Sequence, residues 1–293
     1  MFDKVVLNKY GFYELKNKPN PSELEQYYSK MYYQESNSTY RKSYSDEEIK
    51  YFYNKIEQKH IVVQKLLNKK EVLRFLDVGC GEGWALKYFS NHSWEVKGLD
   101  YSSYGCEMMN PECLPYIIQG DIFENLDLLI DTGEIYDVIL LDNVLEHVLN
   151  PEELLNKLKK IANKDTILII EVPNDFSIVQ KKLLELGSIQ EPFWIVVPDH
   201  ISYFNNKGLT NLCEAVGWKK ELLLADYPID LNLLNEETNY ILNRKVGKSV
   251  HQKRIIIENL LHEISIDDTI RLYNVLAEMG LGRNIVGFFR LGG

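Results

Sequence analysis

The chain has no extended cluster of basic residues. Its 293 residues include 33 lysines and arginines against 43 aspartates and glutamates, so the formal net charge is −10. The basic residues occur as short pairs, such as Lys69-Lys70 and Lys159-Lys160. Binding to nucleic acid requires lysines and arginines clustered against phosphates. We therefore expect no nucleic acid partner, and the scattered charges indicate a solvated surface.

Cysteines and long apolar runs are also scarce. Met1-Phe2-Asp3-Lys4 is not a signal sequence, and the longest apolar run, near residues 167–170, is too short to span a membrane. Four cysteines lack the spacing of a metal site, so we expect free thiols in a reducing cytosol, no bound metal and a cytoplasmic protein without a membrane span. These cysteines are Cys80, Cys106, Cys113 and Cys213.

Glycines, in contrast, are concentrated in one informative stretch, residues 74–84. A predicted buried strand includes Asp77, and Gly79, Gly81 and Gly83 follow at alternate positions before a predicted helix start. Glycine lets the backbone approach a ligand closely and adopt positive φ. The start of a helix offers unpaired N–H groups. The stretch therefore indicates a nucleotide-like cofactor bound to an α/β sheet.

This spacing resembles the first motif of class I S-adenosylmethionine (SAM)-dependent methyltransferases. It differs from the Gly-x-Gly-x-x-Gly of dinucleotide enzymes, since Ala85 follows closely after the third glycine, and a nicotinamide oxidoreductase is therefore disfavoured. Residues 144–148 resemble the post-strand motif of small-molecule O- and N-methyltransferases, including enzymes that methylate quinones and sugars. Three predicted strands follow in the order of the family: Glu95–Asp100, Tyr116–Ile122 and Tyr136–Asn143. The resemblance covers roughly residues 70–225 and 282–291.

The resemblance implies a set of cofactor contacts. The acid that ends the second strand, Asp100, is expected to accept hydrogen bonds from both ribose hydroxyls. In the family, the acid after the third strand, here Asp121, meets the adenine amino group. We expect SAM as cofactor and S-adenosylhomocysteine (SAH) as product, bound by Asp77, Gly79, Cys80, Gly81, Gly83, Asp100, Tyr101, Asp121, Ile122, Asp142 and Asn143.

The alternation of strand and helix patterns over residues 73–174 predicts a parallel sheet with crossover helices. Trp218–Tyr227 and Asn284–Arg290 are predicted as strands six and seven. We therefore predict an α/β fold with a Rossmann-like, doubly wound seven-stranded sheet whose last strand is antiparallel. Its predicted parts are an N-terminal tyrosine-rich helical cap (1–70), a SAM-binding methyltransferase core (71–227), a helical insertion between strands six and seven (228–282) and the final core strand (283–293).

Right-handed crossovers place the carboxyl ends of parallel strands at one edge of the sheet, where ligands bind. The insertion at 228–282 leaves strand six from that edge, so it is interpreted as a lid or pocket wall. An oligomerisation element or outer packing explains it equally well. We accordingly expect a monomer or a homodimer.

Two capping boxes predict helices in the N-terminal part. Ser22 with Glu25 predicts a helix through Tyr28, and Ser45 with Glu48 predicts a long helix. The apolar face of the long helix consists of Ile49, Phe52, Ile56, Val63 and Leu66. Tyrosines in this region are candidates to cover the cofactor or bind substrate: Tyr27, Tyr28, Tyr32, Tyr33, Tyr40 and Tyr44. The Pro-x-Pro leader resembles that of methyltransferases in bacterial surface-glycan pathways.

Two histidines are candidate catalytic bases. Transfer of a methyl group to an alcohol requires removal of the hydroxyl proton, and histidine suits this role near neutral pH. His147 follows strand four and is the first candidate. His200 is the second, in a His-x-x-x-Phe segment that resembles one preceding the last core helix of many small-molecule methyltransferases. A structural role is the alternative for both. Weaker candidates for substrate contact are Glu146, Asp175 and Tyr203.

The sequence therefore predicts a SAM-dependent methyltransferase that acts on a hydroxyl of a small polar metabolite. A sugar, or a nucleotide- or phosphate-linked precursor of a surface glycan, is the preferred acceptor, which places the protein in polysaccharide biosynthesis. Two alternatives stay open: an N-methyltransferase of a small molecule, and a SAM-binding protein without catalysis.

Overall fold

The computed structural model of the protein describes residues 2–20, 22–24, 43–67 and 73–292. In chain order its strands are β1 (Val5–Leu7), β2 (Tyr13–Leu15), β3 (Arg74–Val78), β4 (Glu95–Asp100), β5 (Ile117–Gln119), β6 (Tyr136–Asp142), β7 (Ala162–Pro173), β8 (Ser202–Tyr203), β9 (Trp218–Ala225) and β10 (Asn284–Leu291).

The helices lie between and after these strands. In chain order they are α1 (Asp46–Leu67), α2 (Trp84–Asn91), α3 (Tyr104–Met109), α4 (Ile122–Asp131), α5 (Pro151–Lys160), α6 (Ile178–Glu185), α7 (Asn206–Ala215), α8 (Gly247–Ile264) and α9 (Ile266–Glu278). Short 3₁₀ helices span Pro111–Tyr116, Ile229–Leu234 and Arg244–Val246.

Seven strands form the central sheet, in the order β5-β4-β3-β6-β7-β10-β9. The pairs from β5 through β7 are parallel. Strand β10 runs antiparallel to both of its neighbours, β7 and β9. The predicted doubly wound sheet with an antiparallel last strand is confirmed, and the carboxyl ends of β3 to β7 therefore share one edge.

Apolar side chains cover both faces of this sheet. Successive side chains of a strand point to opposite faces, so Phe75 and Leu76 of β3 are both fully buried but belong to different cores. Helices α1, α2 and α9 contribute to the core that contains Phe75. Helices α4, α5 and α7 contribute to the core that contains Leu76. Helices on both faces hold the strand ends, and hence the site, in place.

Several element boundaries differ from the predicted ones. The third strand ends at Gln119 rather than Ile122, because the Asp121 side chain caps α4 by accepting hydrogen bonds from the backbone N–H groups of Phe123 and Glu124. The sequence pattern predicts the fifth strand over Thr166–Val172, whereas the strand in the structure begins four residues earlier, at Ala162. The sixth strand ends at Ala225 instead of Tyr227.

The N-terminal part is not wholly helical. Strands β1 and β2 pair with each other, and β2 pairs with β8, in a separate antiparallel sheet of three strands. Strands this short carry too little alternation to be found by pattern. Helix α1 begins as predicted after Ser45, whose backbone N–H donates to the Glu48 carboxylate at 2.9 Å. The predicted helix from Ser22 to Tyr28 lies mostly outside the described residues.

The insertion at 228–282 is helical, as its periodicity predicts. Helix α8 packs against α1, and α9 packs against β9. Buried Arg254 of α8 forms ion pairs with Asp226, just after β9, and with Glu258. These contacts attach the insertion to the sheet and to α1, while the lid role stays a prediction. Among the described helices, none combines the length and apolar character needed to cross a membrane.

Candidate cofactor and acceptor site

A cavity of about 1250 Å³ lies at the carboxyl ends of β3, β4, β5 and β6. Eight of the residues predicted for the site line it: Gly79, Gly81, Asp100, Tyr101, Asp121, Ile122, Asn143 and His147. Its far end is lined by residues of α4 and α5, among them Asp127 and Lys157. The described residues of 228–282 do not contribute to the lining. The topology thus brings the predicted cofactor motifs and one predicted base to a single cavity.

The turn after β3 requires glycine at position 79. Gly79 has φ +79°, and a Cβ atom there would lie 2.4 Å from Cγ2 of Val144. Both Gly79 and Cys80 donate their backbone N–H to the carbonyl oxygen of Leu99, at 2.7 and 3.1 Å. The turn therefore lies directly against the end of β4, and the Val144 side chain packs where a Cβ atom of residue 79 would be.

Asp100, at the end of β4, is held by backbone donors. Its Oδ2 accepts the N–H of Gly81 at 2.7 Å, and its Oδ1 accepts the N–H of Ser102 at 3.0 Å. Burial raises the pKa of the Asp100 carboxyl, and the backbone hydrogen bonds oppose that rise. Each carboxylate oxygen has more than one lone pair, so a carboxylate fixed in this way retains acceptor capacity towards the cavity.

Four other predicted cofactor residues lie outside the cavity lining: Asp77, Cys80, Gly83 and Asp142. Asp77 is 3% exposed, and burial, followed by the charge of Asp142, raises the pKa of its carboxyl well above the ordinary value. The Cys80 thiol is also buried, which raises its pKa. Gly83, with φ +77°, precedes α2. The predicted contacts of these four residues with the cofactor stay predictions.

Lys59 of α1 is a component of the site region that sequence reasoning missed. Its Nζ lies 2.7 Å from Oδ2 of Asp142 and 2.8 Å from Oε2 of Glu171, at the ends of β6 and β7. A signal was present in the sequence, because Lys59 falls between Ile56 and Val63 on the predicted apolar face of its helix. A lysine on such a face requires a buried partner.

Tyr44 is the member of the predicted tyrosine set that lies within the described residues. Its hydroxyl donates to Oε1 of Glu82 at 2.7 Å, and Nε1 of Trp84 donates to Oε2 of the same carboxylate, also at 2.7 Å. The rings of Tyr44 and Trp84 meet edge to face. Tyr44 therefore contacts the glycine-rich turn itself. The other five tyrosines lie outside the described residues.

The turn after β6 is joined to the loop before β8. The carbonyl oxygen of Glu146 accepts the backbone N–H groups of Ile201 and Ser202, at 2.8 and 3.0 Å. Nδ1 of His147 lies 2.8 Å from the carbonyl oxygen of Asp199. A carbonyl oxygen can only accept, so Nδ1 carries the proton in this contact. This connection brings the two predicted bases, distant in sequence, together.

The two histidine rings meet edge to face, with their centroids 5.0 Å apart. His147 lines the cavity, whereas His200 does not. Burial, followed by the neighbouring His147, lowers the pKa of His200 to about 4, so this ring is neutral at physiological pH. Beside them, burial and then the charges of Asp175, Asp142 and Asp199 raise the pKa of the Glu146 carboxyl well above its ordinary value.

The remaining candidates for substrate contact lie behind this pair. Asp175 accepts a hydrogen bond from Nη1 of Arg283 at 3.0 Å, and burial raises the pKa of its carboxyl to about 6 against the effect of that arginine. The Tyr203 hydroxyl donates to the carbonyl oxygen of His200 at 2.9 Å. Neither residue lines the cavity, and neither does Glu146. Their predicted contacts with substrate stay predictions.

The sequence model of a family described as "Methyltransferase domain" matches residues 44–223. The chain belongs to this family. Its membership bears out the prediction of a SAM-dependent methyltransferase fold and cofactor. The matched range includes the glycine turn, the acids Asp100, Asp121 and Asp142 at or just after the ends of β4, β5 and β6, and both candidate bases.

A curated relative and two solved structures are similar to parts or all of the chain. The ubiquinone biosynthesis O-methyltransferase of Chelativorans sp. (strain BNC1) is 29% identical over 105 residues, which are 36% of this chain and 42% of that protein. The plantazolicin methyltransferase BamL, in complex with a triazolic desmethylPZN analog and SAH, is 14% identical over 94% of this chain and 92% of its own, with a TM-score of 0.51. The plantazolicin methyltransferase BpumL, with a monoazolic analog and SAH, is 18% identical over 94% and 91%, with a TM-score of 0.50. At these identities the solved structures show the shared fold.

Proposed function

We propose that the protein transfers a methyl group from SAM to a hydroxyl of a small polar acceptor. One observation supports this most directly: the cavity that contains the cofactor-motif residues Gly79, Asp100 and Asp121 is also lined by His147. A base and a methyl donor thus face the same space. With about 1250 Å³ the cavity exceeds the usual ~300–1,000 Å³ of a single-ligand pocket, which leaves room for an acceptor beside the cofactor.

The cofactor is proposed to lie across the strand ends. The ribose hydroxyls would donate to Asp100, whose orientation is set by the N–H groups of Gly81 and Ser102. The adenine amino group would approach Asp121, whose Oδ1 accepts both capping bonds of α4. The methionine part would lie over the turn at Gly79, which lines the cavity. This arrangement follows the strand order of the sheet.

The chemistry then requires alignment and removal of one proton. The acceptor oxygen attacks the methyl carbon of the sulfonium in line, the new C–O bond forms as the S–C bond breaks, and the sulfur leaves as the neutral thioether of SAH. The hydroxyl proton passes to Nε2 of His147, because Nδ1 already carries a proton for Asp199. His200 is the weaker choice, since burial lowers its pKa to about 4.

An oxygen acceptor is supported by the curated relative, which is a ubiquinone biosynthesis O-methyltransferase. Within this class we prefer a sugar, or a nucleotide- or phosphate-linked glycan precursor, on the basis of the tyrosine-rich leader. Transfer to nitrogen is the second proposal, because a neutral amine needs less help from a base.

The test is turnover with purified protein. SAH formation is measured with a panel of free sugars, nucleotide sugars and hydroxylated aromatic compounds, and the product is analysed by mass spectrometry and NMR. We expect acceptor-dependent SAH formation with the new methyl group on oxygen. A product methylated on nitrogen would contradict O-methyl transfer and support the alternative, an N-methyltransferase. Tight SAH binding without turnover on any acceptor would favour a binding protein.

A further inference from the structure

Three metal-ligating side chains converge beside the cavity: Glu146 and His147 in the turn after β6, and His200 in the loop before β8. One potential ligand atom from each lies within 4.8 Å of the other two. In the sequence, Glu146 and His147 precede His200 by 54 and 53 positions, so their proximity is a result of the fold. Two imidazoles and one carboxylate are a donor set that suits divalent transition metals.

The backbone holds these side chains in place. The backbone carbonyl oxygen of Glu146 accepts the N–H groups of Ile201 and Ser202, and the Tyr203 hydroxyl donates to the carbonyl oxygen of His200. Nδ1 of His147 donates to the carbonyl oxygen of Asp199 at 2.8 Å. A metal-ligating histidine usually donates its other ring N–H to a carbonyl or carboxylate, which fixes the tautomer and the ring orientation. His147 has that arrangement, with the lone pair on Nε2.

Two of the three side chains carry a buried polar atom without a hydrogen-bond partner among the described residues. Nε2 of His147 lies 3.7 Å from Oε1 of Glu146. The Glu146 side chain is almost fully buried, and among the described residues no hydrogen-bond donor reaches its Oε2. Nδ1 of His200 is also buried and lacks a hydrogen-bond partner in the same part of the chain. Buried polar groups are nearly always satisfied, and a cation bound between these side chains would satisfy both atoms.

We infer that Glu146, His147 and His200 form a binding site for one divalent transition-metal ion. Ligand atoms at ~2.0–2.2 Å from an ion lie roughly 3–4 Å from one another. The 3.7 Å pair already fits this range, and the widest separation needs to close by about 1 Å. His147 borders the cavity, so an ion bound by it would lie beside the space assigned to the acceptor. Three protein ligands with an open position are the pattern of a catalytic metal site.

The role of the ion, unlike its binding, rests on the proposed function. An ion at this place would bind the acceptor oxygen and make its hydroxyl more acidic. Nε2 of His147 cannot be a ligand and a proton acceptor at once. The metal-loaded protein would therefore activate the acceptor through the ion, and the metal-free protein through the imidazole.

The binding experiment uses Co²⁺ alone as the probe, with full-length protein that has been treated with a chelator, dialysed and freed of any affinity tag. Equilibrium dialysis gives the stoichiometry, and visible absorption reports ligand-field bands. We expect one Co²⁺ per chain. His200→Ala and the isosteric Glu146→Gln should each weaken binding by at least ~10–100-fold, the cost of disturbing even an outer-sphere partner. The matched control is His92→Gln, whose ring bonds to the carbonyl oxygen of Tyr88 outside the cluster; it should bind Co²⁺ like the wild type.

Absence of saturable Co²⁺ binding by the wild type would overturn the inference, as would equal binding by wild type and both cluster variants. Titration with SAH shows that each variant is folded, and the isosteric Glu146→Gln decides if His200→Ala does not fold. The two hypotheses fail separately: Co²⁺ binding without methyl transfer would leave the metal site and remove the proposed function. Methyl transfer without Co²⁺ binding would support the proposed function and contradict the metal site.

Discussion

Lys59 in the middle of α1 and Asp142 at the end of β6 form an ion pair with a 2.7 Å separation between Nζ and Oδ2. The same ammonium lies 2.8 Å from Glu171, and its side chain is 4% exposed. Burial acts to lower the pKa of Lys59, but the two carboxylates raise it overall. A charged group on an N-terminal helix thus neutralises the acids at the strand ends beside the glycine turn, and links that helix to the site.

Replacing Lys59 with methionine should destabilise the protein by up to about 3–5 kcal/mol, because Asp142 loses its ammonium partner and the buried Glu171 keeps only the longer 3.9 Å pair with Lys55. The measurement is the free energy of unfolding in urea. The matched control is Lys65→Met on the same helix, whose pair with Asp267 is more than half exposed; its cost should stay within about 1 kcal/mol. Equal losses in the free energy of unfolding for the two variants would show that the buried ion pair stabilises the protein no more than the exposed one.

Asp100→Ala should weaken SAH binding by about 2–3 kcal/mol, because two hydrogen bonds from ribose to a charged acceptor are lost. Calorimetric titration measures this directly. Asp127→Ala is the control, since Asp127 lines the far end of the same cavity and pairs with Lys157; it should bind SAH nearly as the wild type does. Unchanged affinity for SAH in Asp100→Ala would show that a residue other than Asp100 binds the ribose. Heat with NADH and none with SAH would contradict the cofactor assignment itself.

His147→Ala should lower kcat of the chelator-treated enzyme by ~10²–10⁴-fold, the usual contribution of a positioned acid-base residue. SAH affinity should change little, because the proposed cofactor contacts lie on other residues. His92→Gln is the matched histidine control. Near-wild-type kcat in both His147→Ala and His200→Ala would rule out a histidine base.

His60 should make the protein sensitive to mild acid. Burial, followed by the charge of His92, lowers its pKa from 6.5 to about 4, so between these values the unfolded chain binds more protons than the folded one. The stability contribution is therefore present above pH 6.5 and is lost as the pH falls towards 4. For this shift, about 2 kcal/mol should be lost between pH 7 and pH 5.

The measurement compares urea unfolding of wild type and His60→Gln at pH 7 and pH 5. Glutamine does not titrate, so the difference between the two proteins isolates His60 from the other titrating groups. We expect the wild type to lose more stability than the variant on acidification. Parallel losses in the two proteins would mean that the histidine is protonated without cost in the folded state.

Much of the core was determined by the sequence itself. The order and type of the seven central strands follow from local patterns, since a buried parallel strand is a continuous apolar run bounded by turn residues. The glycine turn is also a local property, because Gly79 is required wherever positive φ and close approach occur together. Asp100 and Asp121 follow from their place at strand ends, once the handedness of crossovers gathers those ends at one edge.

Tertiary structure alone decided the features that depend on distant segments. The small sheet formed by β1, β2 and β8 joins strands almost 190 residues apart, and its strands of two or three residues carry no clear period. Lys59 forms its ion pairs only because the fold brings α1 against Asp142 and Glu171. His147 and His200 become neighbours through hydrogen bonds between two loops, which no local pattern encodes. Packing and electrostatics between remote residues, rather than local propensity, therefore determined which predicted side chains meet at the site.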